Sequence, residues 1–283
     1  MSRHPRRATA QETVAIIERG AYGAPSGRTV RIADDLERSV RDSVLHTPEE
    51  LDALLAAGPS RAAAEPDRGT RLEVTGETTL AAARRLGDAS EVPFALNFAS
   101  AKNPGGGFLN GAHAQEEGLA RSSGLYASLR ARRRFYDFHR EQGDLLYSDH
   151  MIYSPAVPVF RDDAGRLLEE PYPVAFLTSP APNRGAIRDP EKTALIPAVL
   201  AERARKVLAV AAVHGHGRLV LGAWGCGVFR NDPREVAAVF AGLLGPGGEW
   251  AGAFEHVVFA VWDTAEGAPR HAAFEEVFAG LTG

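Results

Sequence analysis

Apolar residues fall along the chain in short, nearly continuous runs separated by stretches of helical period. The runs at 72–74, 94–98, 174–178, 219–221 and 257–261 predict buried strands, because a strand covered on both faces needs apolar side chains at successive positions. Between them, residues 78–86, 190–213, 233–244 and 272–281 predict helices, the second of these as one helix or two. Residues 116–138 contain a helical stretch with Leu119, Tyr126 and Leu129 apolar, and 151–159 short extended pieces broken by Pro155 and Pro158. The first seventy residues read differently. A helix over 11–19 carries Val14, Ile16 and Ile17 and is stopped by the Gly and Pro of 20–26. Thr47-Pro48-Glu49-Glu50 then has the form of a helix start, with Thr as cap, Pro in the first position and acids in the first turn. That helix carries Leu51, Leu54 and Leu55, ends at Gly58-Pro59, and is followed by a polar loop over 61–69. Strands alternating with helices predict an α/β fold whose sheet is covered on both faces. The predicted division is a helical N-terminal extension, 1–70, and a main domain, 71–283.

With 283 residues, 45% hydrophobic and 24% charged, the chain can bury a sizeable core as one large domain or two small ones. Its 32 basic and 36 acidic residues leave a net charge of -4, the wrong sign for coating nucleic acid by counterion release. An anionic ligand must therefore be captured in a specific pocket, and no direct nucleic-acid partner is expected. Cys226 is the one cysteine, which excludes a disulfide framework and a cysteine-rich zinc site. The basic start, with Arg3, Arg6 and Arg7, leads into no apolar stretch, and no run approaches the ~18 apolar residues of a membrane span. A cytoplasmic protein without a membrane partner is the expectation.

In an α/β protein the ligand sits in the loops beyond the carboxyl ends of the strands. Three such loops, at 100–108, 179–185 and 222–229, have unusual composition. The familiar nucleotide fingerprints fail in them: Lys102 precedes its glycines, and Arg230 stands where a third Rossmann glycine belongs. Glycines nevertheless let backbone N–H groups approach a diphosphate, and the helix start near Pro233 favours an anion. Phe108 and Phe229 follow glycines and either stack on a base or ribose or anchor their loops in the core. Other chemistry is weaker. Ser122-Ser123-Gly124 lacks the first glycine of a nucleophile elbow. His214 and His216 have no third metal ligand indicated, and Cys226 reads as a quiet buried thiol. Arg130, Arg132, Arg133, Arg134 and Arg140 read as a solvated helix face, with guidance of a polyanion as the smaller alternative.

The decisive constellation is Gly105-Gly106-Gly107, seven residues, then Gln115-Glu116-Glu117. It places two carboxylates at a loop-to-helix junction beside a glycine loop able to hold a nucleotide diphosphate. The stretch from Leu96 to Tyr126 resembles the poly(ADP-ribose) glycohydrolases of the short bacterial type, whose signature is a Gly-Gly-Gly loop followed at this spacing by Gln-Glu-Glu. The resemblance continues through 177–183, 221–229 and 231–233, and spans about residues 11–263. It implies a macrodomain: a mixed, largely parallel sheet flanked by helices, with the N-terminal extension capping the terminal ribose. It also implies hydrolysis of ribose–ribose O-glycosidic bonds, releasing ADP-ribose, with no cofactor or metal. Poly(ADP-ribose), ADP-ribose and poly(ADP-ribosyl)ated proteins are the implied partners.

Carried over by position, Glu117 is the catalytic acid/base and Glu116 orients the ribose through its hydroxyls. Asn103, Gly105, Gly106, Gly107 and Gln115 belong to the ribose and phosphate side, and Gly225, Cys226, Gly227, Val228 and Phe229 to the diphosphate loop. His113 and Ala114 receive no role. The chemistry fits two roles: departure of a ribose alkoxide needs a proton donor, and an oxocarbenium-like transition state needs nearby negative charge. Successive residues project to different sides, so the two carboxylates cannot both face one oxygen. A helix N-terminus favours the charged form of such a group, whereas desolvation, a neighbouring carboxylate and the substrate diphosphate favour the acid. The acid is expected to prevail only with substrate in place. The alternatives are a macrodomain that only reads ADP-ribose, and a hydrolase of single ADP-ribosyl modifications.

Overall fold

Caps, glycines and prolines set most element boundaries in the computed structural model, which describes residues 3–58, 69–88 and 91–281. The polar loop read over 61–69 lies outside these except for Gly69. The chain opens with α1 (Arg3–Arg19), closed by Gly20 at φ +63, and a hairpin of β1 (Ala21–Gly23) and β2 (Thr29–Arg31). Next come α2 (Ala33–Arg41), β3 (Val44–His46) and α3 (Pro48–Ala57). The α3 start is the capping box its sequence announces: Glu50 N donates to Thr47 Oγ1 at 3.3 Å and Thr47 N to Glu50 Oε2 at 2.9 Å.

The second part comprises β4 (Arg71–Thr75), α4 (Thr79–Leu86), β5 (Phe94–Phe98), α5 (Gln115–Ser122), α6 (Leu125–Ala131) and α7 (Arg133–Gln142). It continues with β6 (Met151–Arg161), β7 (Leu167–Ser179), α8 (Pro190–Val213), β8 (Arg218–Leu221), α9 (Pro233–Leu244), β9 (His256–Ala260) and α10 (Pro269–Phe278). Seven strands form one sheet in the order β3-β6-β7-β5-β8-β9-β4. The five from β7 to β4 are mutually parallel, while β6 and then β3 extend one side of the sheet by antiparallel pairing. This is the mixed, largely parallel α/β sheet expected. The first seventy residues hold the two helices read from the sequence, the first of them starting earlier, at Arg3, and beyond them the β1–β2 hairpin, α2 and the edge strand β3.

Both faces of the sheet are covered, which is why its strands read as unbroken apolar runs. Phe94, Leu96, Leu177, Leu219 and Phe259 face α8, α9 and α10, while Ala95, Val220 and Val258 face the side of α4 and α5–α7. Burying each large side chain among these contributes about 1.5–3 kcal/mol. The parallel register pairs Phe94 with Ala175 and with Leu219, and Leu219 with Val257. The carboxyl ends of β5, β7, β8 and β9 therefore meet at one edge of the sheet.

Three expectations shift. The stretch 116–138 is three helices: it breaks first where Ser123 turns extended and pairs with Val159 while Gly124 N donates to Pro158 O, and again at Arg132, which leaves the helical region at ψ 47. A Cβ at Gly124 would strike Leu36, so the first break is built into the packing of α2. The pieces expected over 151–159 are instead one strand, β6, whose register slips between Ser154 and Val157. Pro155 sits in that bulge, where a missing N–H breaks no ladder bond. The last helix starts earlier than read, with Pro269 in its first turn. No helix among the described residues is long and apolar enough to cross a membrane.

Candidate active site

The loop leaving β5 turns at once. Ser100 Oγ accepts from the N–H groups of Lys102 and Asn103, and Gly106 N donates back to Asn103 O. Gly105 and Gly106 take φ of +68 and +59, which side-chain-bearing residues rarely adopt. Phe108 then plunges inward: it is fully buried, edge-on to Tyr126 with ring centroids 4.8 Å apart, and packed on Ala10 and Ala120. Phe108 is therefore a core anchor, not a base-stacking ring. α1 leans on the outside of this loop, with Arg3 Nε donating to Asn110 O and Arg6 Nε to Gly111 O. From α5, Arg121 donates to Ala112 O and contacts His113 Nδ1 at 3.1 Å.

The loop delivers the chain to α5 with Gln115, Glu116 and Glu117 in its first turn. Gln115 is a clamp: its Oε1 accepts from Phe98 N at 2.8 Å, and its Nε2 donates to Leu96 O and Thr79 Oγ1. Glu116 turns inward and is 3% exposed. Its carboxylate accepts from Ser100 N at 2.7 Å, from Asn97 Nδ2 at 3.4 Å and from Gly105 N. Glu117 turns the other way, over the glycine loop, accepting from Gly107 N and Ala114 N, both at 2.9 Å. The carboxylates thus diverge as neighbours on a helix must, with Gly106 between them. A Cβ there would lie 3.1 Å from Glu116 Oε2 and closer still to Glu117 Oε1.

Burial, reinforced by the neighbouring Glu117 charge, pushes the Glu116 carboxyl up to about 8 despite the donors that favour its ionised form. A group that holds its proton more tightly in the folded than in the unfolded state stabilises the fold fully below its unfolded value, and that stability is lost as pH rises through the folded one. For Glu116 the window runs from the ordinary 4.5 to about 8. Unfolding temperatures measured across it should fall with pH, and Glu116→Gln should flatten the fall. An undiminished fall in the variant would assign the effect to another group.

These groups line a cleft of about 980 Å³ at the carboxyl edge of the sheet. At its acidic end lie Asn103, Gly106, Gly107, Gln115, Glu116 and Glu117, with Arg6 and Thr9 of α1 beside them. Across it lie Gly225, Gly227, Val228 and Phe229; Gly105 and Cys226 sit behind the lining. In the second glycine loop, Gly225 has φ +72 and packs on Ala181 and Asn231 where no Cβ would fit. Gly227 and Val228 are exposed, Val228 by 78%, and their N–H groups are not among the donors of the turn. The α9 N-terminus behind them is already capped: Asp232 accepts from Arg234 N and Glu235 N. An anion here would be met by loop N–H groups, not by the helix end anticipated from Pro233. Burial pushes the Cys226 thiol up to about 12, which makes it inert.

Sequence reasoning missed two aromatic residues in the cleft. Tyr147, at φ +58, has its ring 5.9 Å from that of Phe229, and Trp262 lies beyond β9 with 61% of its surface exposed. Both are lone aromatics in unpatterned loops, so only the convergence of strand ends reveals them. The arginine run is more specific than a solvated face: Arg132 donates to Ser43 O and Arg140 to Lys102 O. Among the described residues, no three His, Cys, Asp or Glu side chains are arranged to hold a metal ion.

The microbial-type PARG catalytic domain, as a family, matches residues 10–162. The chain is similar to the crystal structure of poly(ADP-ribose) glycohydrolase from Thermomonospora curvata, with 67% identity, 98% of this chain and 100% of that one covered, and a TM-score of 0.94. The same protein bound to the inhibitor ADP-HPD covers 97% of this chain, with 99% of its own length matched, 67% identity and a TM-score of 0.91. Poly(ADP-ribose) glycohydrolase from Deinococcus radiodurans in complex with ADP-ribose is 51% identical, covers 89% of this chain and 100% of its own, and has a TM-score of 0.83. Among curated proteins none matches.

Proposed function

Since the chain belongs to the microbial-type poly(ADP-ribose) glycohydrolases, we infer that its cleft hydrolyses the ribose–ribose O-glycosidic bonds of poly(ADP-ribose) and releases ADP-ribose. The observation that carries the assignment of roles is the pair of diverging carboxylates around Gly106 at one end of the cleft. Glu117 has its carboxylate at the lining, held by the backbone N–H groups of Gly107 and Ala114. It is the acid that protonates the departing ribose oxygen, and the resulting carboxylate then takes a proton from the water that attacks the anomeric carbon. Glu116 is fixed from behind by Asn97, Ser100 and Gly105, so it orients the sugar hydroxyls and does not swing with the reaction.

The rest of the cleft supports a nucleotide sugar lying along it. Exposed N–H groups at Gly227 and Val228 suit a diphosphate, the Phe229 ring packs on the nucleotide, and the exposed Trp262 ring offers a stacking face for the base. Asn103, Gly106 and Gly107 serve the terminal ribose and its phosphate, while Gly105 fixes Glu116 from behind the lining and Gln115, at the lining, ties the start of α5 to β5. α1 forms the wall beside the ribose, with Arg6 and Thr9 at the lining, and caps it. Poly(ADP-ribosyl)ated proteins are then the macromolecular substrates.

Incubating the protein with labelled poly(ADP-ribose) tests this reading. Free ADP-ribose should accumulate as the polymer shortens. Intact polymer retained on the protein would make it a reader, and release only from mono-ADP-ribosylated protein would make it a hydrolase of that modification.

A further inference from the structure

Arg203 stands on the inner side of α8 with 1% of its surface exposed, a charged group in a helix face that is otherwise mostly apolar. A buried charge persists only where it is paired and hydrogen-bonded, and this one is tied to two cleft loops at once. Its Nη1 donates to the carbonyls of Leu146 (3.2 Å) and Pro180 (2.7 Å), its Nη2 to that of Tyr147 (3.3 Å), and its Nε to Asp149 Oδ1 (2.8 Å). Asp149 in turn accepts from Lys206 Nζ at 2.7 Å. Support runs onward from neighbouring residues of the same two loops. Asn183 N donates to Leu145 O, Asn231 Nδ2 to Pro182 O, and Gly185 N to Phe229 O, while Gly225 packs directly on Ala181. The Tyr147 and Phe229 rings, side by side at the lining, are the far end of this chain of contacts.

We infer that Arg203 is a positioning residue that sets the Tyr147 and Phe229 walls of the cleft, and so its affinity for the nucleotide, without acting on Glu117. Glu117 is held by a different segment, through Gly107 and Ala114. The inference rests on the proposed reading of the cleft as an ADP-ribose site.

Arg203→Met removes the fork while the 144–150 loop stays tied through Ser148 Oγ, which contacts His139 Nε2 at 2.9 Å and His150 Nδ1 at 2.8 Å. In folded Arg203→Met protein, Kd for ADP-ribose and KM for polymer should rise together by about tenfold, with kcat within about twofold. Arg203→Lys should fall between, because an ammonium keeps the charge but not the planar fork. Asp149→Asn, which leaves Arg203 in place, should shift Kd the same way by less, and serves if the Met variant does not fold. Unchanged Kd in a folded variant, or a loss confined to kcat, overturns the role of Arg203. Absence of ADP-ribose binding to the unsubstituted protein would sink the cleft reading as well, which separates the two failures.

Discussion

Glu117→Gln protein is expected to bind ADP-ribose with close to the unsubstituted affinity and to lose hydrolysis by about 10²–10⁴-fold, the usual worth of a positioned acid/base. The substitution keeps the shape of the side chain and removes its capacity to carry a proton to the leaving oxygen and back from water. It also disturbs the local structure in a bounded way. The Glu117 carboxylate accepts from two N–H groups, Gly107 and Ala114. An amide can accept from one of them only, so one donor loses its partner at a cost of about 1–3 kcal/mol at most. Single-turnover release of ADP-ribose from polymer, beside a titration with ADP-ribose, separates chemistry from binding. Affinity falling in step with rate would show that Glu117 shapes the loop and does not act on the bond.

Gly106→Ala should be nearly as damaging and should weaken binding too. At φ +59 an L-residue costs roughly 1–2 kcal/mol. The larger effect is spatial: the added methyl would occupy the space of the Glu117 carboxylate and press on that of Glu116. A misplacement of about 1 Å in such a group can cost about 10²-fold in rate. Gly143→Ala is the control, since Gly143 has φ +66 with no atom within 4 Å of its Cβ position. It should lose comparable stability and retain kcat. Equal kinetics in the two variants would mean that backbone strain, and not the collision with the carboxylates, explains the Gly106 effect.

The central strands were legible because burial on both faces writes itself as uninterrupted apolar sequence: 94–98 is β5 residue for residue. α8 and α9 also span the residues predicted for them, 190–213 as a single helix and 233–244. The short elements of the N-terminal segment, α2 and β3, were not read: β3 has three residues, and α2, although Ala33, Leu36 and Val40 recur at helical spacing, is only nine residues long. β6 was misread because a bulge accommodates Pro155, and Pro158, although in register with Pro173, turns its backbone toward Gly124, whose N–H its carbonyl accepts, so neither proline breaks the ladder with β7. In the site, glycine spacing pointed to the two carboxylates and both loops. It could not tell that Gln115, although at the lining, has its amide wholly engaged with β5 and Thr79. Nor could it find Tyr147, whose placement depends on an arginine 56 residues away in sequence.

The most direct test is a crystal structure of the Glu117→Gln protein with ADP-ribose bound. The account predicts the terminal ribose over Gly106 and Gly107, with its anomeric hydroxyl within ~3 Å of the side chain at position 117 and the base toward Trp262. A nucleotide bound in the reverse sense, with its ribose at the Trp262 end and position 117 touching no sugar atom, would contradict it.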